Sequence, residues 1–415
     1  MGVQKFQKET AEKTRLTQKG SQPFLQKADI ETMRKKMKAA IIGASMEALH
    51  TIKKAQEHGL FILALDGDAS AAGLAAADKG LVVDISDENA VTEALRVEKP
   101  DFLLTVPIGR YLTTTGAVND ALGLPGISRD MAELCTDKFK FHTKLNEMGL
   151  RKCRCYTVFG DNPELAYPAI LKPRYGSGSR GIFMLPGREQ LREALEKISG
   201  EPYVLEECVA GEEYGVDAAV TKQGFQMILL RKKINTPPPA RQAVGYFSVL
   251  PGDAFWQQAE DYMARVIRCL GLKECLIHAD IIRGENGPFV IELSARPSGH
   301  NLHNLFTPLC TGVDMAEEYI RYRMGLSYDF APRITKSMLI RYFDMQGMAE
   351  NVPDKRQAEQ AIEAGLVDWQ CNIKPGEDLE PVSDGHSLMG RGYFILEGEG
   401  EDFLEEQAEI IKGLF

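Results

Sequence analysis

Lys172 ends the short apolar run Ala169 to Leu171, and the chain then enters Gly176-Ser177-Gly178-Ser179-Arg180-Gly181 before a second apolar run, Ile182 to Leu185. A glycine-rich turn of this kind suits a phosphate. Glycine admits positive φ, so successive amide N–H groups can converge on one anion, and without Cβ atoms the phosphate oxygens come close. Lys172 and Arg180 add the full charges that a polyphosphate needs. A second constellation is acidic. Cys275 to Arg283 and Phe289 to Ser294 read as two strands joined by a turn at Gly284 to Gly287. If that turn centres near Asn286, residues whose numbers sum to about 572 pair, which sets Asp280 opposite Glu292. Period-two geometry then places Asp280, Glu292 and Ser294 on one face and the alternating Ile and Leu on the other. Two facing carboxylates repel, and a hard divalent cation is a natural bridge between them.

The elements that must carry these groups are legible in outline. Residues 1–36 are polar and lysine-rich without apolar periodicity and read as a flexible extension, so the folded protein is expected to start at Met37. From there strand Ala39 to Ile42, a Gly43-Ala44-Ser45 turn, a helix near Met46 to His58, strand Leu60 to Leu65, a helix near Ala90 to Glu98 and strand Phe102 to Val106 alternate, which implies parallel βαβ units. Asp66 stands about 20 residues past the glycine turn, as in a dinucleotide-binding fold. The turn is Gly-Ala-Ser-Met, however, and lacks the second glycine that admits a pyrophosphate, so nicotinamide binding is the minor reading. Asp137-Lys138 opens a helix to about Met148; Tyr156 to Phe159 leads into the glycine hairpin, and a helix follows from Arg188 to Ser199. Tyr203 to Cys208 and Gly215 to Thr221 are strands with Glu206, Glu207, Glu212 and Glu213 at their ends. Lys232, Lys233 and Arg241 flank Pro237-Pro238-Pro239, an extended loop. A helix is expected over Trp256 to Leu270, and the final segment reads as strands Lys336 to Phe343 and Arg391 to Leu396 with helices at Lys355 to Ala364 and after Glu401.

Composition limits the function classes. At 415 residues, with 44% hydrophobic and 26% charged, the chain is a globular protein of two or three domains, at roughly 150 residues each. Lys+Arg 49 against Asp+Glu 59 gives a net charge of −10, so no overall field draws in nucleic acid or an anionic membrane. No apolar run reaches the ~18 residues of a membrane span, and the start lacks the apolar core of a signal peptide. The 8 cysteines include no Cys-x-x-Cys pair and read as reduced thiols, so a cytoplasmic setting is expected.

Taken in order, these landmarks resemble the ATP-grasp superfamily over nearly all of Met37 to Phe415: Lys138 in Thr-Asp-Lys, Lys172 in Tyr-Pro-Ala-Ile-Leu-Lys-Pro, the loop Gly176 to Gly181, Glu206-Glu207-Cys208-Val209, Glu213, Asp280, and Glu292-Leu-Ser-Ala-Arg-Pro-Ser-Gly. The resemblance implies an α/β and α+β architecture. Residues 37–128 would form a parallel βαβ domain, 129–325 a two-lobed ATP-grasp domain with antiparallel sheets and a lid at about 156–201, and 326–415 a small C-terminal lobe. It implies ATP, with one or two Mg²⁺ for which Mn²⁺ could substitute. Lys138 and Lys172 would contact the α- and β-phosphates, with Gly176, Ser177, Gly178, Ser179, Arg180 and Gly181 closing over the β- and γ-phosphates. Glu206, Glu207, Cys208 and Val209 would be the adenine hinge, read partly through backbone N–H and C=O groups, and Glu213 would accept from the ribose hydroxyls. Asp280 and Glu292 would ligate metal, with Ser294 where many relatives carry Asn. Arg296 would join Lys172 as a catalytic group beside the γ-phosphate.

The implied reaction is ligation of a small carboxylate to an amine through an acyl phosphate. A bicarbonate-phosphorylating carboxylase or carbamoylating enzyme is the close alternative, with no Met-Lys-Met biotin site in this chain; a non-catalytic ATP-binding sensor subunit, which Ser294 keeps open, is the third. The partners implied are small molecules, with no nucleic acid and no membrane, and a homodimer is compatible. His300 and His303, just past Arg296, lie where a substrate could be met, and Lys232, Lys233 and Arg241 could anchor a substrate carboxylate.

Overall fold

A computed structural model describes residues 37–151, 153–158, 165–176, 180–198, 200–237, 241–382 and 385–415. The expectations for residues 1–36, for Ser177, Gly178 and Ser179, and for Pro238 and Pro239 fall outside them.

The first sheet is parallel. Strands β1 (Lys38–Ile42), β2 (Phe61–Asp66), β3 (Lys79–Val82) and β4 (Phe102–Leu103) lie in the order β3-β2-β1-β4. Their middles are apolar on both faces because helices cover both, among them Leu49–Glu57 and Glu88–Glu98. The expected first helix starts as a 3₁₀ turn at Met46–Ala48. Helices Leu112–Leu122 and Arg129–Thr136, unannounced by caps that pattern reading caught, carry the chain to Lys138–Glu147.

The second sheet is small and antiparallel, ordered β5-β8-β6-β7: β5 (Cys155–Thr157), β6 (Ala169–Pro173), β7 (Phe183–Leu185) and β8 (Tyr203–Glu207). Helix Arg188–Lys197 covers one face, where Ala169, Leu171, Leu185, Leu191, Ala194 and Leu205 make a core of their own. The sheet begins at Cys155 and ends at Glu207, spanning the stretch of about 156–201 for which a lid is expected.

The third sheet holds eight strands, ordered β13-β12-β9-β10-β11-β14-β18-β16. They are β9 (Glu212–Thr221), β10 (Gly224–Asn235), β11 (Ala243–Val249), β12 (Cys275–Gly284), β13 (Gly287–Ser294), β14 (Met338–Tyr342), β16 (Gly365–Cys371) and β18 (Gly392–Glu397). The short pair β15 (Gly347–Met348) and β17 (Asp378–Leu379) lies apart. The expected boundary at residue 326 therefore does not divide sheets: β14, β18 and β16 extend the one begun by β9. Helix Ala254–Leu270 packs Phe255, Tyr262, Met263, Val266 and Ile267 against this sheet, with Asp253 capping its start and Gly271 in the left-handed region ending it. On the sheet's other face Arg231 and Asp217 form a fully buried pair at 2.8 Å, with the Thr307 hydroxyl donating to the second Asp217 oxygen.

Candidate active site

The cleft lies between the small antiparallel sheet and the β9–β13 end of the large sheet. Register decides which lid side chains face it. Ile170 of β6 pairs with both Met184 of β7 and Glu206 of β8, and Glu206 pairs with Cys155 of β5. Two residues on from Ile170, Lys172 therefore shares their face. Its Nζ sits 3.0 Å from Glu206 Oε1, with both side chains buried. Arg151 donates to the other Glu206 oxygen at 2.8 Å, and His142 Nε2 lies 2.8 Å from Oε1. Burial alone would raise the Glu206 carboxyl, but Lys172, His142 and Arg151 outweigh it and hold it well below the usual range. Burial drives His142 down to about 3, so it is neutral at working pH.

The Glu206 side chain, expected at the adenine, is thus consumed in fixing Lys172, while Glu207, Cys208 and Val209 form the wall beside it. The apolar slot there is made by Ile170, Met184, Ile282, Phe289 and Ile291, with the Arg151 guanidinium 4.7 Å over the Phe289 ring. A flat aromatic base fits such a slot.

On the opposite wall, β12 and β13 pair Asp280 with Glu292, as the turn arithmetic predicts, although by a different route. The turn is two residues, Glu285 and Asn286, between Gly284 and Gly287, which would give a sum one lower; a bulge between Asp280 and Ile281 restores it. A bulge sets two consecutive residues toward one side, and Ile291 lines the cleft together with Glu292. Ile282 does so as well, so the simple division of acids on one face and Ile on the other does not hold. Each acid already has a lysine. Lys233 Nζ lies 2.5 Å from Asp280 Oδ2, and Lys138 feels Glu292. Burial would raise Asp280, and Lys233 brings it below its ordinary value; burial lowers Lys138, and Glu292 pulls it back up only in part. Strand alternation separates the two candidate anchors: Lys233 enters the cleft, whereas Lys232 turns away to Glu212 and Glu401. Arg241 is paired with Glu213.

Lys138 opens its helix behind the N-cap Asp137, which also accepts from Arg174 at 2.7 and 2.6 Å and from the Tyr175 hydroxyl at 3.1 Å. The Lys138 ammonium donates to the Gly176 carbonyl at 2.8 Å. This ties the start of the glycine loop to the body. Gly181 at the loop's far end has φ +68°, and a Cβ there would come within 2.8 Å of the Tyr203 hydroxyl. Arg180 is exposed and lines the cleft.

A second cavity shares Lys138, Gly176 and Glu292 with the first and continues past them to Arg110, His278 and Arg296. Gly109 and Arg110 follow β4, so this cavity opens at the carboxyl ends of the parallel strands, where α/β sheets bind ligands. Ser294 pairs with His278 and lines this second cavity only. Burial lowers the Arg296 guanidinium, and its Nε has no hydrogen-bond partner. His303 is buried beneath, its Nδ1 against the Ser298 carbonyl, and burial takes it down to about 4. His300 approaches Gly385 and Tyr342 instead. The turn that suggested a dinucleotide is closed on itself: the Asp66 carboxylate accepts from Ala44 N at 2.7 Å and Asp68 N at 3.0 Å.

Asp280 Oδ1 is buried without a hydrogen-bond partner, across from Glu292. Among the described residues no group of three or more His, Cys, Asp or Glu could hold a metal. Two carboxylates nonetheless fit Mg²⁺, which is commonly bound by one or two carboxylates with substrate phosphates completing the shell.

Pattern reading missed His142, Arg151, Phe289 and Ile291. His142 stands four residues after Lys138, and that helical spacing was the one available signal. Arg151 carried none.

Comparison with known proteins fits this geometry. Residues 165–303 match the model of an ATP-grasp domain. The match places an ATP-grasp domain within those residues, and solved structures share the fold of nearly the whole chain. One solved neighbour is L-amino acid ligase from Bacillus licheniformis, 18% identical with a TM-score of 0.75 over 90% of this chain and 97% of that one. Another is phosphoribosylglycinamide synthetase from Anaerococcus prevotii, 18% identical with a TM-score of 0.69 over 91% and 98%. In sequence, the chain is 23% identical over 316 residues to the uncharacterized protein y4rH of Sinorhizobium fredii, 69% of this chain and 61% of that one. It is 24% identical over 235 residues to the arginine-specific large chain of carbamoyl phosphate synthase from Geobacillus stearothermophilus, 48% of this chain and 21% of that one. It thus spans less than two thirds of either relative. Among the described residues no helix is long and apolar enough to cross a membrane.

Proposed function

We propose that the protein is an ATP-dependent ligase that phosphorylates a small carboxylate and passes the acyl group to an amine, releasing ADP and phosphate. The observation that carries this is one cleft lined by Lys138, Lys172, Arg180 and Lys233 around the in-register pair Asp280 and Glu292, continuous with a second cavity holding Arg110 and Arg296. Carboxylate and nucleotide are both anions, so the barrier to attack on the γ-phosphorus is largely electrostatic. Lys172, held by Glu206, places positive charge at the phosphates without reorganising, and Lys138 adds a second cation where the two cavities meet. Arg296 offers an unpartnered buried N–H to an acceptor carboxylate. Asp280 and Glu292 would hold Mg²⁺, which supplies charge neutralisation and alignment of the phosphates when bound. The small antiparallel sheet over the cleft excludes water from an acyl phosphate.

The size of the second cavity, smaller than the nucleotide cleft, favours one further reading, in which bicarbonate is the phosphorylated acid. An ADP-release screen over amino acids in pairs and over bicarbonate with amines, with mass detection of product, separates the two. No ADP from any pair, despite ATP binding, would leave the protein a nucleotide sensor.

A further inference from the structure

The lid is joined to the body by two chain crossings. The chain enters through Cys153 and Arg154, leading into β5, and leaves through Cys208 to Gly211, between β8 and β9. The two run antiparallel. Cys155 pairs with Glu206, Tyr156 with Leu205 and Thr157 with Val204, and outside β5 the same register persists, with Glu207 N bonding Arg154 O at 3.5 Å and Val158 N bonding Tyr203 O at 3.4 Å. One step further sets Cys153 opposite Cys208. The hydrogen-bonded positions are 154 and 158, so 153 with 208, like 155 with 206, is a non-hydrogen-bonded pair, the class in which side chains approach most closely. At 155 and 206 that closeness is visible: Cys155 Sγ lies 3.9 Å from Glu206 Oε1. Cys208 lines the cleft.

We propose that Cys153 and Cys208 form an oxidation site at which a hydroperoxide joins the two sulfurs, and that the bond pins the lid to the body at its neck. Both are free, half-buried thiols. Cβ atoms of such pairs stand about 4.5–5.5 Å apart and a disulfide needs about 3.5–4.5 Å, so a closure of roughly 1 Å suffices. The ladder is already open at Arg154, whose N–H goes to the Glu207 side chain, which leaves room for it. Gly211 limits movement on the exit side, since a Cβ there would meet the Arg283 carbonyl at 2.3 Å. The entry strand makes the adjustment.

In the first step one thiol gives up its proton and the thiolate attacks hydrogen peroxide; an S–O bond forms as O–O breaks, the departing hydroxide takes the proton and leaves as water, and a sulfenic acid remains. The second thiol attacks that sulfur; S–S forms, S–O breaks and the hydroxyl leaves with the thiol proton as water. Two sulfurs together give two electrons to the peroxide. Burial pushes both thiols up from their ordinary value, so the resting pair is protonated and the reaction quickens as pH rises.

The linkage stands on the register alone; its effect on turnover rests on the cleft being the nucleotide site. The test treats the reduced full chain with hydrogen peroxide, alkylates remaining thiols, and maps linked peptides by mass spectrometry in the wild type, Cys153→Ser and Cys155→Ser. The expected result is a Cys153–Cys208 peptide in the wild type and Cys155→Ser, loss of ATP binding in step with it, slower backbone hydrogen exchange at both crossings, and recovery with dithiothreitol. Cys153→Ser should keep binding ATP after peroxide. A Cys155–Cys208 link instead, no link, or peroxide inactivation persisting in Cys153→Ser overturns the proposal. If the reduced protein never binds ATP, the nucleotide reading fails, while the linked peptide and the exchange rates still decide the thiol pair.

Discussion

Replacing Lys172 with Ala removes one of the two full cations around Glu206 and leaves that buried carboxylate with Arg151 and a neutral His142. The expected outcome is loss of ADP release with the fold retained by circular dichroism and a lowered melting temperature; wild-type turnover would refute the role given to the ammonium. His142 supplies a test that does not depend on activity. Above pH 6.5 neither state holds its proton. Between 6.5 and about 3 the unfolded chain binds one and the folded protein does not, so stability falls as pH falls across that window. His142→Phe should flatten the dependence of the urea midpoint on pH there, leaving a weaker slope from His303, and an unchanged slope would show that His142 is not buried neutral.

Elements, rather than residues, place the phosphate cations. Asp137 caps the Lys138–Glu147 helix through Phe139 N and Lys140 N while binding Arg174 and Tyr175, so one carboxylate fixes both the helix start and the root of the glycine loop. Asp137→Ala forfeits a cap worth about 1 kcal/mol and the Arg174 fork besides. Stability should drop by more than the cap alone, and ATP affinity should weaken by roughly tenfold or more if the loop root shifts, each 1.4 kcal/mol being tenfold. Isothermal titration with ATP checks this, and unchanged affinity would mean that Lys138 holds its place without the cap. The β12–β13 hairpin shows how far local pattern reaches. The pairing of Asp280 with Glu292 was legible from the turn, because a hairpin is nearly closed by its own residues. The bulge that brings Ile291 to the cleft was not: the extra residue sits in β13, while β12 keeps an unbroken register with β9.

In the molecule as a whole, the buried Arg231–Asp217 pair stands between the large sheet and the segment after Arg296, with Thr307 on the second oxygen. Breaking such a pair by removing one partner typically costs about 3–5 kcal/mol. Asp217→Asn should therefore lower the denaturation midpoint far more than Lys232→Ala, whose ion pairs with Glu212 and Glu401 are on the surface. Chemical denaturation of the two variants compares them, and equal losses would contradict the burial argument.

From the amino acids alone came the alternation of strands and helices in the first hundred folded residues, the glycine hairpin with Lys172 at its root, and the register of the two acids. These are contacts between near neighbours in the chain, governed by periodicity and turn chemistry. Tertiary structure decided the rest. The Glu206 side chain met Lys172, Lys233 rather than Lys232 came to face the cleft, and the C-terminal segment joined the large sheet, because each outcome depends on which distant strand lies alongside. No local preference records that choice.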